Sequence, residues 1–267
     1  MKIKKNMVHI FSIVSFNFVI FFMPLTPFAI EALPGANWVS LNHDVEGLTG
    51  SGGMGWINQG IDWTTLPGDI TFNTYVEYGL RARSKEKEYF NAKGPSVGIE
   101  LSKSYFTAGV DYYWTEYPEY PEPEHPLREE GYEYTFGWYY SKDLKPTDPT
   151  LPLEGIPFST WGKLSNDASG FTGSGGMGWV RQGIDWVTLP GDITVNTFVK
   201  YSYRSREKEN VYYNAQGPSV GVEFTWSYFN AGVSRYWEEF PELNESQVTT
   251  QYFAGWYYPW DLMKKSD

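Results

Sequence analysis

The chain has 267 residues, a formal charge of -11 and no cysteine. Disulfides and thiolate metal sites are therefore excluded, and nucleic acid is a poor partner for so acidic a chain. Aromatic residues make up 19% of it, including 21 Tyr and 12 Trp, which suits a lipid–water boundary or a face that stacks on sugar rings.

Residues 1–32 read as a secretory signal peptide. Lys2, Lys4 and Lys5 give a basic start, Ile10 to Phe22 an apolar run, and Ala29 to Ala32 a small-residue cleavage site. The rival reading, an uncleaved anchor, has an apolar run that is short for a membrane span. An exported protein is expected.

The rest of the chain is a tandem repeat. The segment from Gly47, GLTGSGGMGWINQGIDWTTLPGDIT, returns from Gly170 as GFTGSGGMGWVRQGIDWVTLPGDIT, an offset of 123 residues. An acidic, Pro-rich insert (Tyr120–Glu130) then interrupts the first copy. The copies realign at GWYYSKDL (Gly137) and GWYYPWDL (Gly255). The boundaries expected are repeat 1 over 33–146, a Pro-rich linker over 147–158, and repeat 2 over 159–264.

Within each copy the pattern is that of strands. The faintest runs from Trp38 to Val45. The glycine cluster TGSGGMGW follows (Thr49, Thr172); it lacks the Lys-Ser/Thr of a phosphate loop and reads as a turn or bulge. Met54–Thr65 is the next strand. It carries the motif QGIDW, whose Asp62 and Asp185 face a lumen or cap the following turn, the alternative being a catalytic role or the binding of a sugar or cation beside Trp63 and Trp186. Leu66–Asp69 is a tight turn.

The clearest strand is Asp69–Arg83. Ile70, Phe72, Val76, Tyr78 and Leu80 share one face; Asn73, Tyr75, Glu77, Arg81 and Arg83 share the other. Strict alternation continues over Val97–Ser102, Phe106–Trp114 and Tyr132–Tyr140, with a charged loop over Ser84–Pro95 and an acidic loop over Tyr117–Glu130. Six strands per copy result, about twelve in all, with tight turns alternating with longer loops.

These features predict an all-β fold, an antiparallel barrel of about twelve strands made from two six-stranded repeats. The alternative is two tandem β-sandwich-like domains, since half-buried sandwich strands also alternate. The strand lengths, the aromatic apolar face and the mixed polar face favour a membrane barrel. Arg235 speaks against it, because it falls on the lipid-side face where the first copy has Tyr112. The expected location is the bacterial outer membrane, with the lipid bilayer as partner; the sandwich alternative would be periplasmic or secreted and would bind glycans.

The expected lumen residues are Asp62, Arg81, Arg83, Asp185, Lys200, Arg204 and Arg206. The arginines would line one mouth and draw small polar, anionic solutes such as acidic oligosaccharides. Trp63, Trp114, Trp138, Trp186, Trp237 and Trp256 are the expected aromatic girdle or glycan-stacking rings. Glu100/Glu223, Glu116/Glu239 and Glu119/Glu242 recur as carboxylate pairs, but nothing places any pair across a cleft. Only three histidines are present, so neither a His-dependent triad nor a zinc site is indicated. No cofactor, metal or catalysis is expected; the function is that of a passive channel or a surface-structural barrel.

Overall fold

The structure is a computed structural model that describes residues 34–45, 50–85, 91–122, 125–144, 156–167, 174–207 and 214–261. The expected signal peptide and most of the expected linker lie outside these residues. Twelve strands follow one another: β1 (Pro34–Asp44), β2 (Gly52–Leu66), β3 (Ile70–Arg83), β4 (Ala92–Lys103), β5 (Phe106–Glu122), β6 (His125–Leu144), β7 (Ile156–Asp167), β8 (Gly175–Leu189), β9 (Ile193–Arg206), β10 (Ala215–Trp226), β11 (Phe229–Phe240) and β12 (Glu245–Asp261). Each pairs antiparallel with its chain neighbours, and β1 pairs with β12 to close a barrel. The sandwich alternative is thereby overturned. Strands β6 and β7 form one ladder, as do β12 and β1, so neither copy closes on itself.

The two seams share one register. Asp44 faces Gln251 and Pro34 faces Asp261 across the first; Asp167 faces Glu133 and Pro157 faces Asp143, their repeat equivalents, across the second. Tight turns at Pro67–Asp69, Ser104–Tyr105, Pro190–Asp192 and Ser227–Tyr228 lie at one end of the barrel, together with the start of β1 and the end of β12. In these turns Asp69, Asp192, Ser104 and Ser227 take left-handed backbone, with φ of 59°, 60°, 54° and 52°, which lets so few residues reverse the chain.

Three expectations change. The segment expected as a loop over Tyr117–Glu130 is mostly strand, because β5 and β6 continue as a hairpin beyond the rim. Above Glu116 strand β5 pairs only with β6, so Pro118 and Pro121 remove no second ladder bond, and a register shift between Tyr117 and Pro121 takes up the irregularity. The strand expected at Val97 begins at Ala92 and runs through Pro95. The end of the expected linker, from Ile156, already belongs to β7.

The barrel is inside out relative to a water-soluble domain. Among the described residues, five apolar side chains are buried (Ala92, Tyr117, Phe198, Ala215 and Phe240) against fourteen polar or charged ones. The exposed surface instead carries Leu80, Ile99, Phe136, Val199, Val220 and Phe224, the outward positions of their strands. Such an outer face is stable only against lipid. Strands of 11 to 20 residues reach or exceed the nine to eleven or so that cross a bilayer at a tilt.

Rings gather at both borders of this apolar zone. Trp114 and Trp237 stand toward the loop end; Trp138 and Trp256 stand toward the tight turns, Trp256 stacked on Phe229 at 6.1 Å between centroids. Trp63 and Trp186 sit in register shifts of β2 and β8, where each indole N–H donates to a threonine hydroxyl, Thr74 and Thr197, at 2.7 Å. Arg235 is indeed on the outer face. It donates to Thr250 Oγ1 at 2.8 Å and lies one outward position from Trp237, from which a long side chain reaches the interface.

Ile99 is the central outward residue of β4, between Val97 and Leu101. Ile99→Arg should therefore lower unfolding free energy in lipid vesicles by about 2–4 kcal/mol. Ser165→Asn, on the inward face of β7, should cost under about 1 kcal/mol. Urea unfolding followed by tryptophan emission checks both; equal costs would contradict the lipid-facing assignment.

Candidate functional site

The lumen is built from the inward alternate residues of the twelve strands, and its two ends differ. Toward the loop end it is packed with side chains. Arg83 Nη2 meets Asp44 Oδ2 at 2.5 Å with both side chains under 10% exposed, and Gln251 donates to the other Asp44 oxygen at 2.8 Å. Arg204 Nη2 meets Glu238 Oε1 at 2.5 Å, and Gln247 donates to Glu238. Arg81 lies over the buried ring of Tyr117. Just beyond, Asn91 and Asn214 accept the backbone N–H of Arg83 and Arg206, each at 2.6 Å, and return a bond to the same residue's carbonyl. These bonds fix the bases of the two charged loops.

This arrangement changes the expected role of the arginines. Arg83 and Arg204 are neutralised by carboxylates two strands away and serve as struts within the lumen. A charge taken from water this far is tolerated when paired and hydrogen-bonded. Alternation places both arginines on the inward face, but sequence could not supply their partners: Asp44 comes from β1, and Glu238 replaces the first copy's Thr115.

Toward the tight turns the lumen opens into a cavity of about 1130 Å³. Asp62 lines it, and Asp62 and Asp185 accept from Asn73 and Asn196 Nδ2 at 2.8 and 2.7 Å. The recurrent QGIDW motif is thus a fold device. Its Asp ties β2 to β3, or β8 to β9, on the inside, while its Trp does so on the outside.

Around the middle of the lumen the charges are sorted by sign. Strands β3 to β6 present Glu77, Glu100, Asp111 and Glu133; β7 to β9 present Lys163, Arg181 and Lys200; β10 presents Glu223. Arg181 is held by Glu223 through two bonds, at 2.8 and 3.1 Å, donates to Asn196 Oδ1 at 3.1 Å, and lies 3.7 Å from the centroid of the Phe198 ring. Asn58 donates to Glu77 at 3.3 Å. Lys200 Nζ is 5.4 Å from the centroid of Trp179. Trp38 and Trp56 meet edge to face at 5.7 Å. Tyr75 and Phe198 lie against Gly98 and Gly221, where any Cβ would collide with the ring; glycine there admits an aromatic into the lumen.

Of the residues expected in the lumen, Lys200 and Asp62 reach the cavity, while Arg83 and Arg204 join the loop-end network. The sequence reading did not single out Arg181, Lys163, Asp111 or Glu133. The usable signal was the repeat itself, because inward positions that change charge between near-identical copies are visible by alignment: Glu77 against Lys200, Asn58 against Arg181, Asp111 against Ser234, Ser40 against Lys163.

A closed antiparallel barrel with an apolar, ring-bordered outside and a charged lumen defines a transmembrane β-barrel. No family model and no curated protein matches the chain. Among solved structures it is similar to the beta domain of the Bordetella autotransporter Brka, at 12% identity and a TM-score of 0.45 over 85% of this chain and 99% of that one. It is similar to LpxR from Salmonella typhimurium, at 9% and 0.45 over 84% and 100%, and to the KdgM porin, at 10% and 0.38 over 84% and 98%. No residue's role is carried over from them.

The loop-end ion pairs give a direct test. Asp44→Ala takes a hydrogen-bonded carboxylate away from a buried guanidinium and should cost about 3–5 kcal/mol of stability; adding Arg83→Ala should restore part of that loss. A double-mutant cycle on unfolding in detergent or lipid reads the coupling, and strict additivity would show that the pair stabilises nothing.

Proposed function

We propose that this chain is an outer-membrane β-barrel that serves as a narrow, passive conduit for small polar solutes, without catalysis. The observation that carries the reading is the cavity of about 1130 Å³ inside a closed barrel, lined by charged and amide side chains while the outside is apolar. A lumen of this polarity suits water and polar solutes. A twelve-stranded barrel is intermediate in bore between small filled barrels and open porins.

The expected preference for anions loses its basis, since Arg83 and Arg204 are paired and the mid-lumen ring has more carboxylates than cations. Solute choice on this reading is made by the sorted ring. The packed loop-end half supports a second reading, a surface-structural barrel that conducts nothing.

Purified protein in planar bilayers distinguishes the two. The conduit reading expects small, voltage-stable unit currents that grow severalfold in a double variant, Arg204→Ala with Glu238→Ala, which empties one strut from the lumen. Absence of current from both forms, with protein that inserts and shows a heat-dependent gel shift, would leave the surface-structural reading. Recovery of the protein in a soluble periplasmic fraction would sink both.

A further inference from the structure

We propose that the mid-lumen ring is a binding station for a small zwitterion, a solute with an ammonium and a carboxylate on one short frame. The proposal deepens the reading of the lumen as a solute path and rests on it only for how the solute arrives.

The acidic arc offers an ammonium both charge and ring faces. Asp111 is 5% exposed and borders the cavity. Ser96 hydrogen-bonds its carboxylate, yet Oδ1 has no hydrogen-bond partner among the described residues. Glu133 stands directly across the ladder from it, and Lys163 of β7 is the cation that faces Asp111, Glu77 and Glu100, so four carboxylates share one cation and the arc keeps a net negative charge. The edge-to-face rings of Trp38 and Trp56 line the same cavity and supply the π surface an ammonium prefers.

The basic arc offers a carboxylate one cation above all. Arg181 is already committed to Glu223. Lys200 lines the cavity against Trp179, and no described carboxylate lies within ion-pair distance of it. A solute with only positive charge would meet Lys163 and Lys200. One with only negative charge would meet four carboxylates. A zwitterion satisfies both arcs at once.

The duplication strengthens the argument. The copies keep Asp62 and Asp185, Asn73 and Asn196, Glu100 and Glu223. They differ in sign at Glu77 and Lys200, and a carboxylate is lost from Asp111 to Ser234 and from Glu133 to Gln251. The polarity of the ring arose at lumen positions within a chassis otherwise held alike.

The test uses the full chain in detergent, with intrinsic tryptophan fluorescence titrated by glycine betaine at constant ionic strength. Tetramethylammonium chloride and sodium acetate are run beside it. A saturable change is expected with betaine, at least about tenfold weaker with either single-charge ion, the scale of one charge-assisted contact. Asp111→Asn and Lys200→Gln should each weaken betaine about tenfold, and Arg235→Gln, on the outer face, should leave it unchanged. The proposal is overturned if tetramethylammonium or acetate binds as tightly as betaine. It is equally overturned by the lack of any saturable change, or by variants that keep the heat-dependent gel shift and bind betaine like the parent. Bilayer currents separate this from the conduit reading. A silent barrel that binds betaine defeats conduction alone, and a conducting barrel indifferent to betaine defeats the station alone.

Discussion

Everything in this molecule follows from the pairing of β1 with β12. A strand in hydrocarbon has no water to take its N–H and C=O groups, so an open sheet would leave two rows of them bare at several kcal/mol per group. The ladder from Pro34–Asp261 to Asp44–Gln251 removes both edges together. Once the sheet is closed, the period-2 alternation of side chains has only two places to send them, lipid or lumen. The apolar residues then fall outside, and the acids, amides and cations of the same strands must settle their charges with one another inside.

That settlement differs along the axis. At the loop end, charges pair closely and amides fill the remaining lone pairs, so Arg83, Asp44, Arg204 and Glu238 form struts that stiffen the wall while they occupy the bore. Toward the tight turns, the Arg181–Glu223 pair excepted, the charged groups stand apart and leave space. The same chemistry of buried charge therefore yields a packed support in one half and a receptive chamber in the other. The difference lies in how many of the charges find a partner two strands away.

Much of the fold was legible because alternation is a local property. Ile70 to Arg83 announces its two faces without knowledge of any neighbour, and the repeat doubles the evidence for each strand. The hairpin above the rim was not legible, because Pro118, Pro121 and the acidic run around them read as loop in isolation. They are tolerated in strand only because β5 has a partner on one side alone there. The site was half legible. Alternation puts Arg83 inward, but whether it is a free cation or a strut depends on Asp44, thirty-nine residues away on a strand two places round, and register across strands is not written in either segment alone. Asp62 was legible as an inward group; its bond to Asn73 depends on where the bulge falls.

The equal register of the two seams has an evolutionary and topological meaning. Each six-stranded half carries on its last strand the complement of its own first strand, at the same stagger. Two separate copies of such a half can therefore close on each other around a two-fold axis and make the same barrel, with an isologous arrangement of interfaces. The linker between β6 and β7 joins what the seams already hold. In one chain the halves need not be identical, and this barrel, unlike a pair of identical halves, places an acid on one side of its lumen and a lysine at the matching position on the other.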